Sequence, residues 1–244
     1  MLLRFNLRFL VVFVFIIQSN IGFSQVLLLG IKAGIGSSDL FEYKDNKIST
    51  LPDSHRLASF TGGFILNLKI KEKWFLHSEI IFEDKGLRTR YGCTDSIPPY
   101  SICYKSVNHN YYIQFPQTIR FLIPIDQKLK GKLYFEAGLY FACYILTKSI
   151  DNVTIYGVDH KYVDVYDHAS LFGNIETTHR YDWGATLGIG MLMNLGKGQI
   201  DFNLRCDQMI LAFVKDDYGG FRRYYNVISL TIGYTIPVIN KDNN

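Results

Sequence analysis

The clearest pattern of hydrophobic and polar positions along this chain is a strict alternation over residues 132–146, which read KLYFEAGLYFACYIL. Every second residue is apolar, and the residues between them are glycine, alanine, tyrosine and one carboxylate, Glu136. A period of two is the signature of a β-strand whose two faces meet different environments. The run of about fifteen residues exceeds both an ordinary strand of about five or six and the roughly 9–11 residues that a strand needs to cross a bilayer.

The same alternation recurs along the rest of the chain and predicts eight strands. They are expected at residues 28–37, 57–70, 74–88, 110–123, 132–146, 179–194, 199–213 and 222–236. The segments between them run long, short, long, short, long, short and moderate. Because short turns at one end and longer loops at the other are typical of outer-membrane barrels, we predict an all-β, eight-stranded, antiparallel up-and-down transmembrane β-barrel.

The connections also predict how the barrel is oriented. The long loops are expected at residues 38–56, 89–107 and 149–178, and the short turns at 71–73, 124–131 and 195–198. If the first strand starts in the periplasm, the long loops are extracellular and both termini are periplasmic. The longest loop is expected to contain a hairpin, since Thr154 to Val165 alternates around Gly157.

The first 24 residues have the composition of a signal peptide. Arg4 and Arg8 precede an apolar run at residues 9–17, and Gly22 and Ser24 supply small residues before a cleavage site at Gln25. We therefore expect residues 1–24 to be removed and residues 25–244 to form one outer-membrane β-barrel domain. No apolar run after Gln25 approaches the 18 or so residues of a spanning helix, so a closed barrel is the predicted way to cross the membrane.

The two faces of the predicted strands favour a membrane barrel over a soluble one. A lipocalin-type barrel would also alternate, but here the non-apolar face is mostly glycine, serine and threonine, which suits a narrow lumen better than a solvated surface. Aromatic side chains on the apolar face are expected to form two girdles at the membrane interfaces. The outer girdle would comprise Tyr111, Tyr181, Trp183 and Tyr224, and the inner one Trp74, Phe121 and Tyr234.

Three short motifs resemble the bacterial outer-membrane β-barrel domain family that includes PorT-like proteins. They are residues 30–34 (GIKAG), residues 78–86 (SEIIFEDKG) and residues 112–116 (YIQFP) together with Arg120. Gln114 stands where the family pattern has a glutamate, and Gln117 and Thr118 replace apolar residues. The resemblance implies an outer-membrane barrel, and PorT-like members are linked to protein secretion and cell-surface assembly.

Charged residues fall on the face predicted to line the lumen. They are Lys32, Glu79, Arg120, Glu136, Asp182, Asp201, Arg205 and Asp207. One interpretation is a proton relay or an ion path. The other is a structural network of ion pairs, because charges removed from water must be paired, and this second interpretation is our prediction.

The predicted loops hold five histidines and three aspartates that could form a surface metal site or the site of an omptin-like hydrolase. These residues are His55, His109, His160, His168 and His179 with Asp159, Asp164 and Asp167. Metal ligands need convergent geometry, and no nucleophile with its base can be chosen, so we assign no catalytic, cofactor-binding or metal-binding residue.

The four cysteines divide into a loop pair and two strand residues. Cys93 and Cys103 share one predicted loop and are a candidate disulfide, because an exported protein meets an oxidising environment. Cys143 and Cys206 fall within strands that are not expected to be neighbours. We interpret these two as small apolar residues.

Three functions are compatible with these patterns. The first is a structural or interaction barrel that contacts outer-membrane lipid and binds envelope or secretion-system proteins through loops 38–56, 89–107 and 149–178. The second is an enzyme whose site lies at the extracellular rim, and the third is a small pore, which eight strands disfavour because they leave no water channel. Without Arg4 and Arg8 the chain has 24 basic and 22 acidic residues, which gives no support to nucleic-acid binding.

Overall fold

The computed structural model of the chain describes residues 26–44, 47–50, 54–97, 100–125, 131–156, 161–171, 181–210, 214–215 and 222–240. The elements in these ranges are β1 (Val26–Lys44), β2 (Lys47–Thr50), β3 (Ser54–Lys71), β4 (Trp74–Ile97), β5 (Tyr100–Pro124), β6 (Gly131–Tyr156), β7 (Lys161–Leu171), β8 (Tyr181–Leu195), β9 (Gly198–Met209), β10 (Val214–Lys215) and β11 (Arg222–Asn240). A helix that could cross a membrane is not found among these residues. The predicted signal peptide lies outside them.

Eight of the strands form a closed ring, which confirms the predicted barrel. The ring runs β1, β3, β4, β5, β6, β8, β9 and β11, with each strand antiparallel to the next. It closes because β11 pairs with β1 from Val26↔Asn240 to Tyr43↔Arg222. A closed ring leaves no unpaired strand edge along the barrel wall, which is the condition for crossing a bilayer with strands.

The alternation seen in the sequence becomes the two faces of the wall. In β6, Tyr134, Glu136 and Tyr140 are buried inside, whereas Leu133 and Leu139 are 46% and 58% exposed on the outside. The other barrel strands repeat this arrangement, so a wide band of exposed apolar side chains surrounds the ring. A soluble protein rarely exposes an apolar surface of this size, whereas a lipid bilayer would cover it.

The predicted long loops are wrong in one respect, because much of their length is strand. β4 and β5 stay paired as far as Ile97 and Tyr100, and β6 continues to Tyr156 and then pairs with β7. Beyond the lipid both faces of a strand can be polar, so apolar alternation no longer marks it, although the tyrosine, threonine and valine residues there still favour strands. The hairpin predicted within residues 149–178 is confirmed by the β6–β7 pairing.

Short turns join the strands at the opposite end. The predicted turns at 71–73 and 195–198 are confirmed by the two-residue connections from β3 to β4 and from β8 to β9. Gly196 has a φ of 60°, a left-handed conformation that glycine adopts without steric cost. Residues 126–130 of the third predicted turn lie outside the described ranges. The strand predicted to reach residue 213 is shorter, since β9 ends at Met209.

Apolar clusters lie toward both ends of the interior, and polar side chains fill the middle. Toward the long hairpins the cluster comprises Leu40, Leu87, Met209 and Tyr225. Toward the short turns it comprises Leu122, Tyr134 and Leu192, with Phe75 packed against it. The interior of the barrel is therefore a packed core that contains a polar middle section.

Candidate functional site: the polar interior of the barrel

All eight charged residues predicted to line the lumen lie inside the barrel. Each of them is buried, with at most 6% of its surface exposed, the value for Lys32. Inside such an interior the ions have exchanged water for one another, so the geometry of their contacts decides whether they are stable. Together with neighbouring polar side chains they form two groups at different heights, the ion-pair layer and the tyrosine layer, with Asp207 between them.

The ion-pair layer is the group nearer the short turns. It comprises Lys32, His77, Glu79, Arg120, Glu136, Asp201 and Arg205. Glu79 lies at its centre and accepts hydrogen bonds from Lys32 Nζ at 2.6 Å and from Arg205 Nη1 at 2.5 Å. His77 Nε2 lies 2.5 Å from the oxygen that Lys32 also contacts. Three nitrogen atoms thus contact the single carboxylate of Glu79.

Arg120 is the second centre of this layer. Its Nε donates to Glu136 at 2.7 Å and its Nη1 to Asp201 at 2.8 Å, while Nη2 lies 2.9 Å from His77 Nε2. The guanidinium also lies over the ring of Tyr134, 4.3 Å from its centroid. Charge-assisted bonds of this kind are the strong ones in proteins, and here they leave few of the guanidinium donors without a partner.

The contacts of the ion-pair layer connect opposite walls of the barrel. Glu79 belongs to β4 and Arg205 to β9, and three strands separate these two in either direction around the ring. Lys32 in β1 reaches Glu79 across β3, where its ladder neighbour is Gly63, a residue with no side chain. The network therefore holds the lumen closed in the way that side chains fill a narrow eight-stranded barrel.

The tyrosine layer lies nearer the long hairpins. It comprises Glu83, Lys85, Tyr112, Tyr140 and Asp182. The Lys85 ammonium lies 3.4 Å from Glu83 Oε2, and 4.8 Å and 4.7 Å from the ring centroids of Tyr112 and Tyr140. Lys85 and Tyr112 are also the polar neighbours of Asp182. Two buried carboxylates thus share one ammonium, which contacts aromatic faces rather than a set of short hydrogen bonds.

Asp207 connects the two layers. Thr186 Oγ1 donates to it at 2.7 Å, Gln114 Nε2 at 3.3 Å, and Arg205 Nε lies 3.0 Å away. Gln114 is the position where the family pattern has a glutamate. Its amide can donate to Asp207, whereas a glutamate would place a second carboxylate there. The lumen contact of β5 at this position, from Gln114 to Asp207 in β9, is therefore maintained despite this departure.

The glycines of β8 make room for the large side chains of β6. A Cβ atom built on Gly184 would lie 2.1 Å from the ring of Tyr140, and one on Gly190 would lie 2.4 Å from the ring of Tyr134. A Cβ on Gly188 would lie 2.7 Å from Glu136 Oε1. The predicted glycine-rich lumen face thus has a specific cause, which is close approach by side chains of the neighbouring strand.

His77, Glu83 and Lys85 were not included among the candidate site residues, although their positions along the strand indicated that they face the lumen. These residues have the same parity as Glu79 in one strand, so they face the same side. His77 completes the contacts of Glu79 and Arg120, and its Nδ1 lies 2.5 Å from Asn67 Oδ1. The parity rule was therefore sufficient to identify them as part of the interior.

Fewer side chains that could bind a metal or take part in catalysis are described at the rim beside the long hairpins. Of the five histidines singled out above, His109 is the one whose side chain is described, and its Nδ1 lies 2.7 Å from Asp84 Oδ2. Among the described residues no three histidine, cysteine, aspartate or glutamate side chains are placed to hold a metal ion. The remaining four histidine side chains, and all of Asp159, lie outside what is described.

The predicted disulfide between Cys93 and Cys103 stays a prediction. The ladder between β4 and β5 pairs Tyr91 with Tyr104 and Thr94 with Ile102, so the two cysteines lie on facing strands in the irregular stretch between these pairs. Their side chains are not described. Cys143 and Cys206, in β6 and β9, take part in no disulfide among the described residues, and β8 separates their strands.

The chain is similar to several solved structures at low sequence identity. Solved structures to which it is similar include the attachment invasion locus protein Ail of Yersinia pestis, with 12% identity, a TM-score of 0.33 and coverage of 86% of this chain and 99% of that one. The outer membrane protein OprG of Pseudomonas aeruginosa gives 10% identity, a TM-score of 0.41 and coverage of 87% and 97%. Neisserial surface protein A gives 10% identity, a TM-score of 0.35 and coverage of 84% of this chain and 95% of that one.

Comparison with curated protein sequences finds no match. A family model described as "Outer membrane protein beta-barrel domain" matches residues 20–208. This match begins six residues before β1, ends at the penultimate residue of β9 and covers more than half of the chain.

Proposed function

Because this chain belongs to the outer membrane protein beta-barrel domain family, we propose that it is a structural and interaction barrel of the bacterial outer membrane. Its termini lie in the periplasm and its long hairpins outside the cell. The barrel anchors the chain, and the hairpins bind envelope or secretion-system proteins. The observation that carries this proposal is the combination of a filled lumen with strands that continue well beyond the apolar band.

The filled lumen supports a role other than transport. The side chains that form the ion pairs between Glu79, Arg120, Glu136 and Arg205 are at most 2% exposed. The Glu79–Arg205 pair connects opposite walls, so an ion or solute would have to break buried ion pairs to pass. Breaking one such pair by removing a partner costs about 3–5 kcal/mol in proteins. This favours a function on the outside of the barrel.

The long hairpins offer an extended surface for partners. Strands β4, β5, β6 and β7 continue as one sheet, with Ser101↔Tyr156 near the tip of β5–β6 and Tyr156↔Lys161 at the tip of β6–β7. Among the described strands, β7 pairs with β6 alone, so its other edge carries backbone groups available for pairing. Such an edge recruits an extended segment of another protein.

The chemistry of the β6–β7 region specifies the partner further. Residues 149–178 contain five acidic residues and one lysine, Lys161. A segment with this charge attracts basic segments and repels acidic ones, which increases the association rate and the specificity of a complex. We therefore infer that the partner contributes an extended, basic segment that adds a strand along β7 (Lys161–Leu171). The resemblance to PorT-like proteins suggests that such a partner belongs to secretion or surface assembly.

The test shortens one hairpin at a time in the full-length barrel. Replacing residues 149–168 by Asn-Gly joins Lys148 to its ladder partner Ala169 through a two-residue turn. The matched control replaces residues 91–104 by Asn-Gly between the partners Arg90 and Lys105. Both variants should migrate differently when boiled and unboiled in detergent gels, as a closed barrel does.

The readout is crosslinking in intact cells followed by recovery of the barrel. We expect the crosslinked partner to disappear with the β6–β7 hairpin and to persist when the β4–β5 hairpin is shortened. The same crosslinking pattern in the wild type and in both variants would contradict the proposal. Loss with the control alone would move the partner site to the β4–β5 hairpin.

A further inference from the structure

Lysines line the end of the barrel where the short turns lie. Lys71 ends β3, Lys73 lies in the β3–β4 turn, Lys132 is the second residue of β6, and Lys197 lies in the β8–β9 turn; all four side chains are exposed. Glu72 is the one acidic residue with a described side chain among them. This group, which we name the lysine ring, consists of Lys71, Lys73, Lys132 and Lys197.

The lysine ring lies directly beside aromatic residues of the barrel wall. Trp74 follows Lys73 in the chain, is 45% exposed, and packs on Phe121 with 4.8 Å between the ring centroids. The Tyr234 hydroxyl lies 3.4 Å from the carbonyl oxygen of Leu195, in the turn that carries Lys197. Tryptophan and tyrosine mark the headgroup level of a membrane, so ammonium groups next to them lie at the depth of lipid phosphates.

The cations at the two ends of the barrel differ in their surroundings. Toward the long hairpins, Arg56 Nε contacts Asp39 at 3.2 Å and His109 contacts Asp84 at 2.7 Å. In the part of the chain that the structure describes, no ion pair is found for the four lysines of the ring. Their positive charge is therefore not neutralised by a described carboxylate and is available to anions.

The distribution of the ring around the barrel indicates the kind of anion. Its members lie at the β3–β4 turn, at β6 and at the β8–β9 turn. β5 separates the first of these positions from β6, and β6 neighbours β8, so the four lysines lie along one arc of the rim, from β3 to β9. A single nucleic acid or acidic peptide would need a continuous groove, whereas separate lipid headgroups can bind each position independently in one plane. Basic residues at a membrane surface attract anionic phospholipids, and long lysine side chains can extend toward phosphates.

We propose that the lysine ring binds the phosphates of anionic phospholipids in the leaflet that faces the short turns, and so fixes the height of the barrel in the membrane. The proposal rests on membership of a membrane-barrel family and not on the hairpin partner. The variant with the shortened β6–β7 hairpin should therefore keep this lipid preference.

The test uses the full-length barrel in nanodiscs that contain equal amounts of phosphatidylglycerol and phosphatidylcholine. Lipids that remain bound on extraction are counted by native mass spectrometry. For the variant Lys71→Gln, Lys73→Gln, Lys132→Gln and Lys197→Gln, we expect the preference for phosphatidylglycerol to fall by about tenfold or more, given four surface cations. Replacing the same four residues by arginine should restore the preference, because the charge returns.

The matched control neutralises four cations at the other end, Arg56, Arg88, Lys105 and Lys148, each to glutamine. It should retain the preference of the wild type. A wild-type barrel without any preference, or an equal loss in the control, would overturn the proposal. Competition by free glycerol phosphate at equal phosphate concentration would also overturn it, since the ligand would then be a soluble phosphate. Retention of an acidic protein instead of lipid would do the same.

Discussion

The two layers of the barrel interior hold their charges in different ways. In the ion-pair layer Glu79 and Arg120 each contact several oppositely charged or hydrogen-bonding groups at 2.5–2.9 Å. In the tyrosine layer the Lys85 ammonium lies 3.4 Å from Glu83 and more than 4 Å from the centres of two tyrosine rings. One layer is a network with several contacts for each charge, and the other surrounds a single cation with aromatic faces.

This difference shows two ways in which a narrow barrel can bury charged side chains. Multiple short contacts fix each ion in one position, so the ion-pair layer should resist change and give the barrel its rigidity. Aromatic faces attract a cation with less directional demand. The tyrosine layer should therefore tolerate substitutions better than the ion-pair layer does.

The largest effect is expected from removing the cation at the centre of the ion-pair layer. Arg120→Met leaves Glu136 and Asp201 buried without the guanidinium that contacts both. We expect a loss of about 3–5 kcal/mol in the free energy of unfolding. The measurement is urea unfolding in lipid vesicles, followed by the fluorescence of Trp74 and Trp183, the two tryptophans of the chain.

A second substitution shows whether the unpaired carboxylate causes that loss. Glu136→Gln combined with Arg120→Met removes one of the two stranded charges, so it should recover part of the stability. If Arg120→Met cost no more than a surface substitution, the network would not hold the two walls together. An unchanged stability of the double variant relative to the single one would show that Glu136 is not the group left without a partner.

The next largest effect is expected from a pair of substitutions at adjacent residues of β6, one on the lipid face and one in the tyrosine layer. Leu139 is 58% exposed on the outside, whereas Tyr140 is buried beside Lys85 and near Glu83 and Asp182. Leu139→Arg should cost about 2–4 kcal/mol, because an arginine near the middle of the membrane meets lipid. Tyr140→Arg should cost less, since carboxylates are within its surroundings. Folding yields into vesicles measure both, and equal losses would contradict the assignment of the two faces.

The sequence alone was enough to predict this assignment, and the reason is physical. Lipid outside and a packed lumen inside impose opposite demands on successive residues. The alternation of apolar and polar side chains is therefore visible in the sequence, as at Leu139 and Tyr140 or at Glu79 and Ile80. The same parity predicted eight lumen-facing charged residues, and all eight are buried in the structure. Where both faces of a strand are polar, as in the β4–β5 hairpin beyond residue 88, the pattern vanishes and strands were predicted as loops.

The contacts within the interior were beyond such reasoning. Parity shows that Glu79 and Arg205 face the lumen, but their contact depends on the stagger of strands around the closed ring. Likewise, Lys32 reaches Glu79 across a strand because its ladder neighbour is Gly63. Such partners depend on the register of several strands at once, and a single sequence does not contain that register explicitly.

A third prediction concerns the cation of the tyrosine layer. Lys85→Met leaves Glu83 and Asp182 without the ammonium that they share, and they can then be buried at low cost only as neutral acids. At low pH the folded barrel can take up these protons, so the variant should be nearly as stable as the wild type near pH 5. As the pH rises, the carboxylates either hold these protons at a cost of about 1.4 kcal/mol per proton and pH unit or become buried ions without a partner. We expect the cheaper of these outcomes to leave a deficit of about 2 kcal/mol at pH 8.

The control for that pH dependence lies in the other layer. Lys32→Met removes one cation from Glu79, but Arg205 and His77 still contact this carboxylate. Its stability relative to the wild type should therefore change little between pH 5 and pH 8. Urea unfolding at both values measures the two variants together. A deficit of Lys85→Met that did not depend on pH would show that its carboxylates are not free to take up protons.

The smallest effect comes from adding one methyl group to the glycines of β8. The three atoms nearest to a Cβ on Gly184 would all belong to the outer part of the Tyr140 side chain, which we expect to shift within the tyrosine layer. A Cβ on Gly190 would meet the carbonyl oxygen of Phe202 at 2.3 Å as well as the ring of Tyr134. Tyr134 is held by hydrogen bonds of 2.5 Å to Asp201 and 2.6 Å from Asn203.

We therefore expect Gly190→Ala to reduce the free energy of unfolding by about 1 kcal/mol more than Gly184→Ala, within the range known for overpacked interiors. Urea unfolding of the two variants in the same vesicles measures the difference. Gly184→Ala combined with Tyr140→Leu should restore the loss at Gly184, because the shorter side chain leaves space for the new methyl group. If Gly184→Ala were the more damaging variant and this combination restored nothing, the tyrosine layer would be as rigid as the ion-pair layer. The two layers would then differ in composition but not in mechanics.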